Sequence, residues 1–113
     1  MKLDEYQIEA RVSDLFEKTQ DLRSVAFLEK LLGLTGEAGE VSDKFKKILR
    51  DKGGILSEED RIAVAKELGD VLWYVAILSY YLEMPLSEIA QMNLNKLASR
   101  RERGVISGSG DER

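Results

Sequence analysis

The stretch ELGDVLWYVAILSYYL, residues 67–82, decides the fold of this chain. Its last twelve residues are apolar nearly all round a helical wheel, and a helix of that kind must be buried on several sides. Upstream, Ser57 offers a hydroxyl N-cap and is followed by three acids, which the helix dipole favours there. We therefore predict one helix over residues 57–83. A chain of 113 residues can rarely cover such a helix alone, so we expect a homodimer or homotetramer that assembles through its apolar helices.

The sequence on both sides predicts further helices and an all-α fold class, a bundle of four to five helices. Apolar residues at helical spacing predict a first helix over residues 4–19, a second over 25–49 and a fourth over 86–103. Asp21 or Ser24 can cap the second helix. The remaining residues, 104–113, form a C-terminal tail containing Gly-Ser-Gly-Asp, which we expect to be flexible or to contact a partner.

Three glycines lie inside the second predicted helix, at positions 33, 36 and 39. Each costs about 1 kcal/mol relative to Ala in a helix interior. Their spacing of three leaves a lane without side chains, where another helix can approach closely. The alternative is a kink or break of the helix near residues 33–36.

Length, charge and composition limit the classes of protein to which this chain can belong. At 113 residues and a formal charge of −4, it is one domain without the basic surface typical of nucleic-acid-binding proteins. It has no Cys and no His, so acid–base chemistry falls to carboxylates, Lys, Tyr or metal-bound water. No apolar run approaches the roughly 20 residues that span a bilayer, and no signal-peptide pattern begins the chain. We expect a soluble cytoplasmic protein without nucleic-acid or membrane partners.

Two acidic pairs of the same spacing lie on neighbouring predicted helices: Glu37 with Glu40, and Glu67 with Asp70. Residues three apart share a helix face, with Cβ atoms roughly 5–6 Å apart, so each pair can direct two carboxylates at one point. The loop between these two helices is short, so we expect them to be antiparallel neighbours that bring the pairs together. Four carboxylates would then form an oxygen-rich cage suited to Mg²⁺ or Mn²⁺. Without a cation, negative charges this close would repel one another. The pattern therefore predicts a site for a hard divalent cation.

Other interpretations of these acids have to be weighed against a metal site. Acids at this spacing are common on solvated helix faces, but Glu67 and Asp70 share their face with apolar residues and with Tyr74. A metal-free network in which Lys44 and Lys66 pair with the acids is the main alternative. A ferritin-like di-iron site is excluded, because it needs Glu-x-x-His on two helices and the chain has no His.

The segments around both pairs resemble a known family. Gly36-Glu37-Ala38-Gly39-Glu40-Val41, followed later by Glu67-Leu68-Gly69-Asp70-Val71-Leu72-Trp73-Tyr74, resembles the MazG-like nucleoside triphosphate pyrophosphohydrolases of the all-α NTP pyrophosphatase superfamily. Residues 93–97, Asn-Leu-Asn-Lys-Leu, look like the family's fourth-helix segment, and residues 103–111 are similar to the tail of small bacterial and phage members. Each motif is short, but the ordered set is specific.

The resemblance implies an activity and a set of site residues. Residues 1–103 would form a domain that hydrolyses nucleoside triphosphates (NTP or dNTP) to monophosphate and pyrophosphate, as nucleotide-pool house-cleaning. Mg²⁺ would be the cofactor, with Mn²⁺ as a substitute. The implied metal ligands are Glu37, Glu40, Glu67 and Asp70, of which Glu37 or Glu40 would orient or deprotonate the attacking water. The candidate substrate contacts are Lys44, Lys47, Asn93, Lys96 and Arg100.

Several alternatives remain open at the level of sequence. Lys96 and Arg100 are also the cations that the dipole favours near the end of a helix. The enzyme can instead have a dedicated substrate such as dUTP or phosphoribosyl-ATP, or the protein can be a non-catalytic helical oligomer that binds metal or nucleotide. Four aromatic residues could stack on a base, but we expect at least three of them in the core or at a subunit interface: Trp73, Tyr74, Tyr80 and Tyr81.

Overall fold

The computed structural model describes residues 1–113 and contains four α-helices and no strand. The helices are α1 (Leu3–Arg11), α2 (Val25–Lys52), α3 (Glu58–Tyr81) and α4 (Leu86–Glu102). The all-α prediction is confirmed, and α2, α3 and α4 lie close to their predicted positions. Two predicted serine caps are also present. The hydroxyl of Ser24 accepts the N–H of Phe27 at 3.2 Å, and that of Ser57 accepts the N–H of Asp60 at 3.1 Å.

The prediction for the first helix was wrong at its C-terminal end, because α1 stops at Arg11 rather than near residue 19. The reason is the environment of Asp14. Its carboxylate accepts the N–H of Phe16 at 3.0 Å, a local turn that competes with helix, and the hydroxyl of Tyr81 at 2.6 Å.

Helix α2 runs without a break through its three glycines, so the alternative of a kink near residues 33–36 does not occur. The expected close approach is found at Gly33, where an added Cβ would lie 2.2 Å from the ring of Tyr74 on α3. At Gly36 and Gly39 an added Cβ would meet no atom within 4 Å. The glycine lane therefore admits one aromatic ring at its N-terminal end and is open along the rest.

A small core joins α1 to α3. It consists of Ala10, Ile77 and Tyr81, with Trp73 and Tyr80 among the partly buried residues packed against it. This arrangement confirms the expectation that most of the aromatic residues of α3 belong to the core. None of the four helices is both long enough and apolar enough to cross a bilayer.

Gln7 fixes the position of α4 relative to the other helices. Its side-chain amide donates to the carbonyl oxygens of Ala76 and Met84, both at 3.1 Å, and its oxygen accepts the N–H of Leu86 at 3.1 Å. This buried residue therefore links α1, the end of α3 and the start of α4. Helix α4 packs against α1 and α3 but not against α2.

A buried ion pair lies beside the core, and sequence patterns gave no sign of it. Lys30 is 1% exposed, and its ammonium lies 2.9 Å from the carboxylate of Asp14. Glu29 is a second partner of the ammonium. Burial disfavours the charged form of Lys30, but hydrogen bonds to Glu29 and Asp14 outweigh it and hold the pKa above its ordinary value. A charged network therefore closes the gap between α2 and the residues that follow α1.

The C-terminal tail folds back on α4. Gly104 has a φ of 70°, a left-handed conformation that suits Gly, and the N–H of Val105 donates to the carbonyl of Arg100 at 2.8 Å. Gly108 and Gly110 also have positive φ, at 119° and 88°. These turns bring Asp111 back to the side chain of Lys96.

Candidate functional site

The antiparallel packing of α2 and α3 determines which residues of the two helices meet. Gly33 faces Tyr74, Lys44 pairs with Glu67, and near the loop Lys52 pairs with Asp60. As residue numbers rise along α2, they fall along α3. The two acidic pairs therefore lie at the same level of the helix pair, as the short loop between the helices predicted.

Three of the four predicted carboxylates converge. Glu37, Glu67 and Asp70, here called the acidic cluster, each offer one carboxylate oxygen, and these oxygens all lie within 4.8 Å of one another. Glu37 and Glu67 are half-buried and Asp70 is exposed. Glu40 is exposed and lies outside this group. The geometry thus brings together one acid of α2 and two of α3.

The negative charges of the acidic cluster act on Glu37. The pKa of Glu37 is raised above its ordinary value, first by desolvation and then by the negative charges of Asp70, Glu67 and Glu40. The one cation in contact is Lys44, whose ammonium lies 3.4 Å from Glu67. Lys66 is exposed and forms no ion pair. Of the two lysines in the alternative metal-free network, only Lys44 pairs with an acid of the cluster. Three carboxylates with one ammonium as partner leave negative charge that a bound cation would neutralise.

The acidic cluster fits a hard divalent cation. All its donor atoms are carboxylate oxygens, which Mg²⁺ and Mn²⁺ prefer. Around an octahedral Mg²⁺, with Mg–O distances of about 2.0–2.1 Å, adjacent oxygens lie about 2.9 Å apart and opposite oxygens about 4.1 Å apart. The three carboxylate oxygens, which lie within 4.8 Å of one another, would therefore draw closer together around a bound ion.

A cleft of about 220 Å³ lies between α2 and α3, on the side of Lys44 that leads toward the α2–α3 loop. Lys44, Lys47 and Lys52 line it, together with Asp60 and the apolar side chains of Ile48 and Val64. Each of the last two lysines has a carboxylate partner, because Lys47 lies 2.7 Å from Asp43 and Lys52 lies 2.7 Å from Asp60. Two predicted phosphate contacts, Lys44 and Lys47, therefore share one cleft. Lys52 was missed because it falls at the helix end, where a basic residue is expected anyway.

The three candidate residues of α4 do not join the acidic cluster within one chain. Helix α4 does not pack against α2. Asn93 is exposed, while Lys96 and Arg100 both bind the carboxylate of Asp111 in the tail. Arg100 is buried, with 6% of the residue exposed.

Two tyrosines flank the acidic cluster, and one of them was not predicted. Desolvation raises the pKa of Tyr74, and the charges of Glu29 and Glu37 raise it further. The pKa of Tyr6 on α1 is raised by desolvation and then by Asp70. Tyr6 therefore lies within electrostatic reach of the acidic cluster.

Comparison with known proteins agrees with this architecture. The model of the MazG nucleotide pyrophosphohydrolase domain matches residues 26–105. The chain is 50% identical over 114 residues to the Gene 37 protein of Mycobacterium phage L5, and the match covers 100% of both proteins. Among solved structures there is no significant match. The family match includes α2, α3 and α4 and every residue of the acidic cluster, so this chain belongs to the MazG nucleotide pyrophosphohydrolase family.

Proposed function

We propose that this protein is a Mg²⁺-dependent pyrophosphohydrolase that converts NTPs or dNTPs to nucleoside monophosphates and pyrophosphate. The observation that carries the proposal is the convergence of Glu37, Glu67 and Asp70 from two antiparallel helices of a MazG domain. Such a centre needs a cation, and a nucleoside triphosphate is commonly bound together with Mg²⁺. In a house-cleaning role the protein would act on the nucleotide pool of the cytoplasm.

The proposed reaction is hydrolysis at the α-phosphorus. Water attacks this phosphorus atom. The bond between the α-phosphorus and the oxygen that bridges the α- and β-phosphates breaks, and pyrophosphate leaves with the bonding electrons. Bound Mg²⁺ would polarise the phosphate and lower the pKa of the attacking water. Glu37, Glu67 and Asp70 would hold the first ion, and Glu40 would serve a second ion that arrives with the nucleotide. Either Glu37 or Glu40 would accept the proton of the water.

The cleft beside the acidic cluster supports this assignment of the phosphate chain. Lys44 and Lys47 line the cleft and would bind phosphate oxygens beyond the scissile bond. Phosphoryl transfer depends mostly on positioning and on charge stabilisation, which such cations provide. Lys44 would exchange its present partner, Glu67, for phosphate when a metal ion takes over that carboxylate.

We also propose that the protein works as a homodimer or homotetramer. Only 11 of 113 residues are buried in the single chain, which is few for a stable domain. Large apolar side chains are exposed on α2, α3 and α4, among them Leu32, Leu49, Leu68, Leu72, Met92 and Leu94. Because α4 does not pack against α2 within a chain, Asn93, Lys96 and Arg100 would reach bound phosphate across such an interface. Light scattering should then give at least a dimer at micromolar concentration, and a monomer would contradict this arrangement.

The activity can be tested directly. Each common and damaged NTP and dNTP is incubated with the protein and Mg²⁺, and monophosphate is resolved from diphosphate product. Glu67→Gln and Asp70→Asn should each lower turnover at least about a hundredfold, since metal-held charge stabilisation contributes several kcal/mol. Glu59→Gln is the matched control, because Glu59 is an exposed acid of α3 without an ion pair. Near-wild-type turnover in both cluster variants would contradict the mechanism.

The same assay separates the rival functions. Turnover restricted to one substrate, such as dUTP or phosphoribosyl-ATP, would identify a dedicated enzyme of the superfamily. Binding of Mg²⁺-nucleotide without any turnover would favour a non-catalytic binding protein.

A further inference from the structure

Two basic side chains of α4 share one carboxylate of the tail. The ammonium of Lys96 lies 2.6 Å from Oδ1 of Asp111, and Nη2 of Arg100 lies 3.2 Å from the same oxygen. Nη2 of Arg100 also donates to the backbone carbonyl oxygens of Gly110 and Asp111. One acidic group thus occupies the space between the two cations that the proposed function assigns to phosphate.

Arg100 is a buried residue and not a surface side chain. The residue is 6% exposed, and its Nε has no hydrogen-bond partner. A buried donor without an acceptor costs free energy. The helix dipole explains why cations gather at this end of α4, but not why one of them is buried with a free donor.

A phosphate group would satisfy this arrangement better than Asp111 does. A guanidinium presents its N–H groups as a fork, and bidentate pairing with phosphate uses two of them at once. The carboxylate of Asp111 engages Nη2 and leaves Nε unpaired. A phosphate has more acceptor oxygens and more negative charge, so it could bond Nε and Nη2 together and still reach Lys96.

The geometry of the tail allows Asp111 to dissociate from Lys96 and Arg100. The side chain of Asp111 is 72% exposed, so water can solvate its carboxylate when it leaves the two cations. Positive φ angles at Gly104, Gly108 and Gly110 allow the chain to reverse, and these glycines also give the tail freedom once released. Side-chain hydrogen bonds from Lys96, Arg100 and Arg103 join residues 110–113 of the tail to the end of α4.

We propose that Asp111 is an internal competitor for phosphate: its carboxylate occupies an anion site of Lys96 and Arg100 and is displaced when a polyphosphate chain binds. The inference rests on the proposed function for the assignment of these two cations to phosphate. It adds that the tail limits affinity for the substrate and opens when substrate arrives.

The test measures binding of inorganic tripolyphosphate to the full chain by calorimetry, without Mg²⁺ and without turnover. Asp111→Asn keeps the size of the side chain but removes its charge, and it should tighten binding about three- to tenfold. Glu112→Gln removes the same charge from the next residue, which is exposed and pairs with no cation, so its affinity should equal that of the wild type. Lys96→Gln combined with Asp111→Asn should lose the gain.

Displacement of the tail has its own readout. Amide hydrogen exchange of residues 105–113 should become faster when tripolyphosphate is added to the wild-type protein. Equal affinities of the wild type and Asp111→Asn, or no binding of tripolyphosphate to any variant, would overturn the inference. Because these measurements need no hydrolysis, they can support the inference even if the proposed activity is absent. Conversely, an active enzyme whose affinity for tripolyphosphate is the same with Asp111 and with Asn at this position would refute the inference but not the proposed activity.

Discussion

The ammonium of Lys44 lies 3.4 Å from the carboxylate of Glu67 and is the only cation in contact with the acidic cluster. In this position it would compete with a metal ion for Glu67. It also lines the cleft in which we propose that the phosphate chain binds. This one residue would therefore weaken binding of the proposed metal ion and strengthen binding of the proposed phosphate chain, and a single substitution can separate the two effects.

Lys44→Gln should bind Mg²⁺ more tightly in the absence of nucleotide but turn over nucleotide more slowly. A partly exposed ion pair contributes about 0.5–1 kcal/mol, so the gain in Mg²⁺ affinity should be about two- to fivefold. Turnover should fall at least about tenfold, because a charge that stabilises the transition state is lost. Calorimetry with Mg²⁺ and steady-state kinetics measure the two effects. Lys46→Gln, which removes an exposed charge that pairs with Asp43, should change neither.

The two acids of α2 should differ in what they contribute to metal binding. Glu37 belongs to the acidic cluster and Glu40 does not, so Glu37→Gln should abolish the rise in melting temperature that Mg²⁺ causes. Glu40→Gln should keep that rise without nucleotide. Both variants should lose about a hundredfold in turnover, since both acids act once nucleotide is bound. Loss of the Mg²⁺ effect in Glu40→Gln would show that Glu40 holds the first ion as well.

The sequence was sufficient to predict the helix order, the serine caps and the level at which the acidic pairs meet. These features depend on local spacing and on a short loop, both of which are visible in one chain. The sequence did not predict the structure of residues 12–19. Their apolar spacing is typical of a helix, but the hydrogen bond between Asp14 and Tyr81 draws this segment out of the helical conformation. The buried charge of Lys30 could not be predicted either, because its partner lies sixteen residues away and no local pattern marks the pair.

A larger residue should destabilise the protein at Gly33 but not at Gly36, one turn further along α2. The Cβ of Ala at position 33 would lie 2.2 Å from the ring of Tyr74, which must then move from beside the acidic cluster. Gly33→Ala should lower the free energy of unfolding by about 1–3 kcal/mol, as overpacking does. Gly36→Ala meets no atom within 4 Å and should raise the free energy by about 0.5–1 kcal/mol through helix propensity. Urea denaturation measures both, and a destabilised Gly36→Ala would show that a second chain covers this surface.

The ion pair of Lys30 and Asp14 should determine how the protein responds to acid. Burial works to raise the pKa of Asp14, but hydrogen bonds from Tyr81 and Lys30 outweigh it and hold the pKa below its ordinary value. A carboxyl group whose pKa is lower in the folded state stabilises that state above the unfolded pKa, and this contribution disappears as the pH falls through the folded pKa. The free energy of unfolding should therefore decline below about pH 4, with a slope of up to about 1.4 kcal/mol per pH unit from this group.

Asp14→Asn tests this assignment because it removes the titrating group and keeps the shape of the side chain. At pH 7 it should be less stable by about 3 kcal/mol, since the buried ammonium of Lys30 loses its carboxylate partner on the α1 side. The free energy of unfolding of Asp14→Asn should fall less steeply with decreasing pH than that of the wild type, so the two stability curves converge toward low pH. Glu9→Gln removes an exposed acid of α1 and should follow the wild-type curve. Parallel curves for the wild type and Asp14→Asn, measured by urea denaturation from pH 7 down to pH 2.5, would mean that another carboxylate controls the acid response.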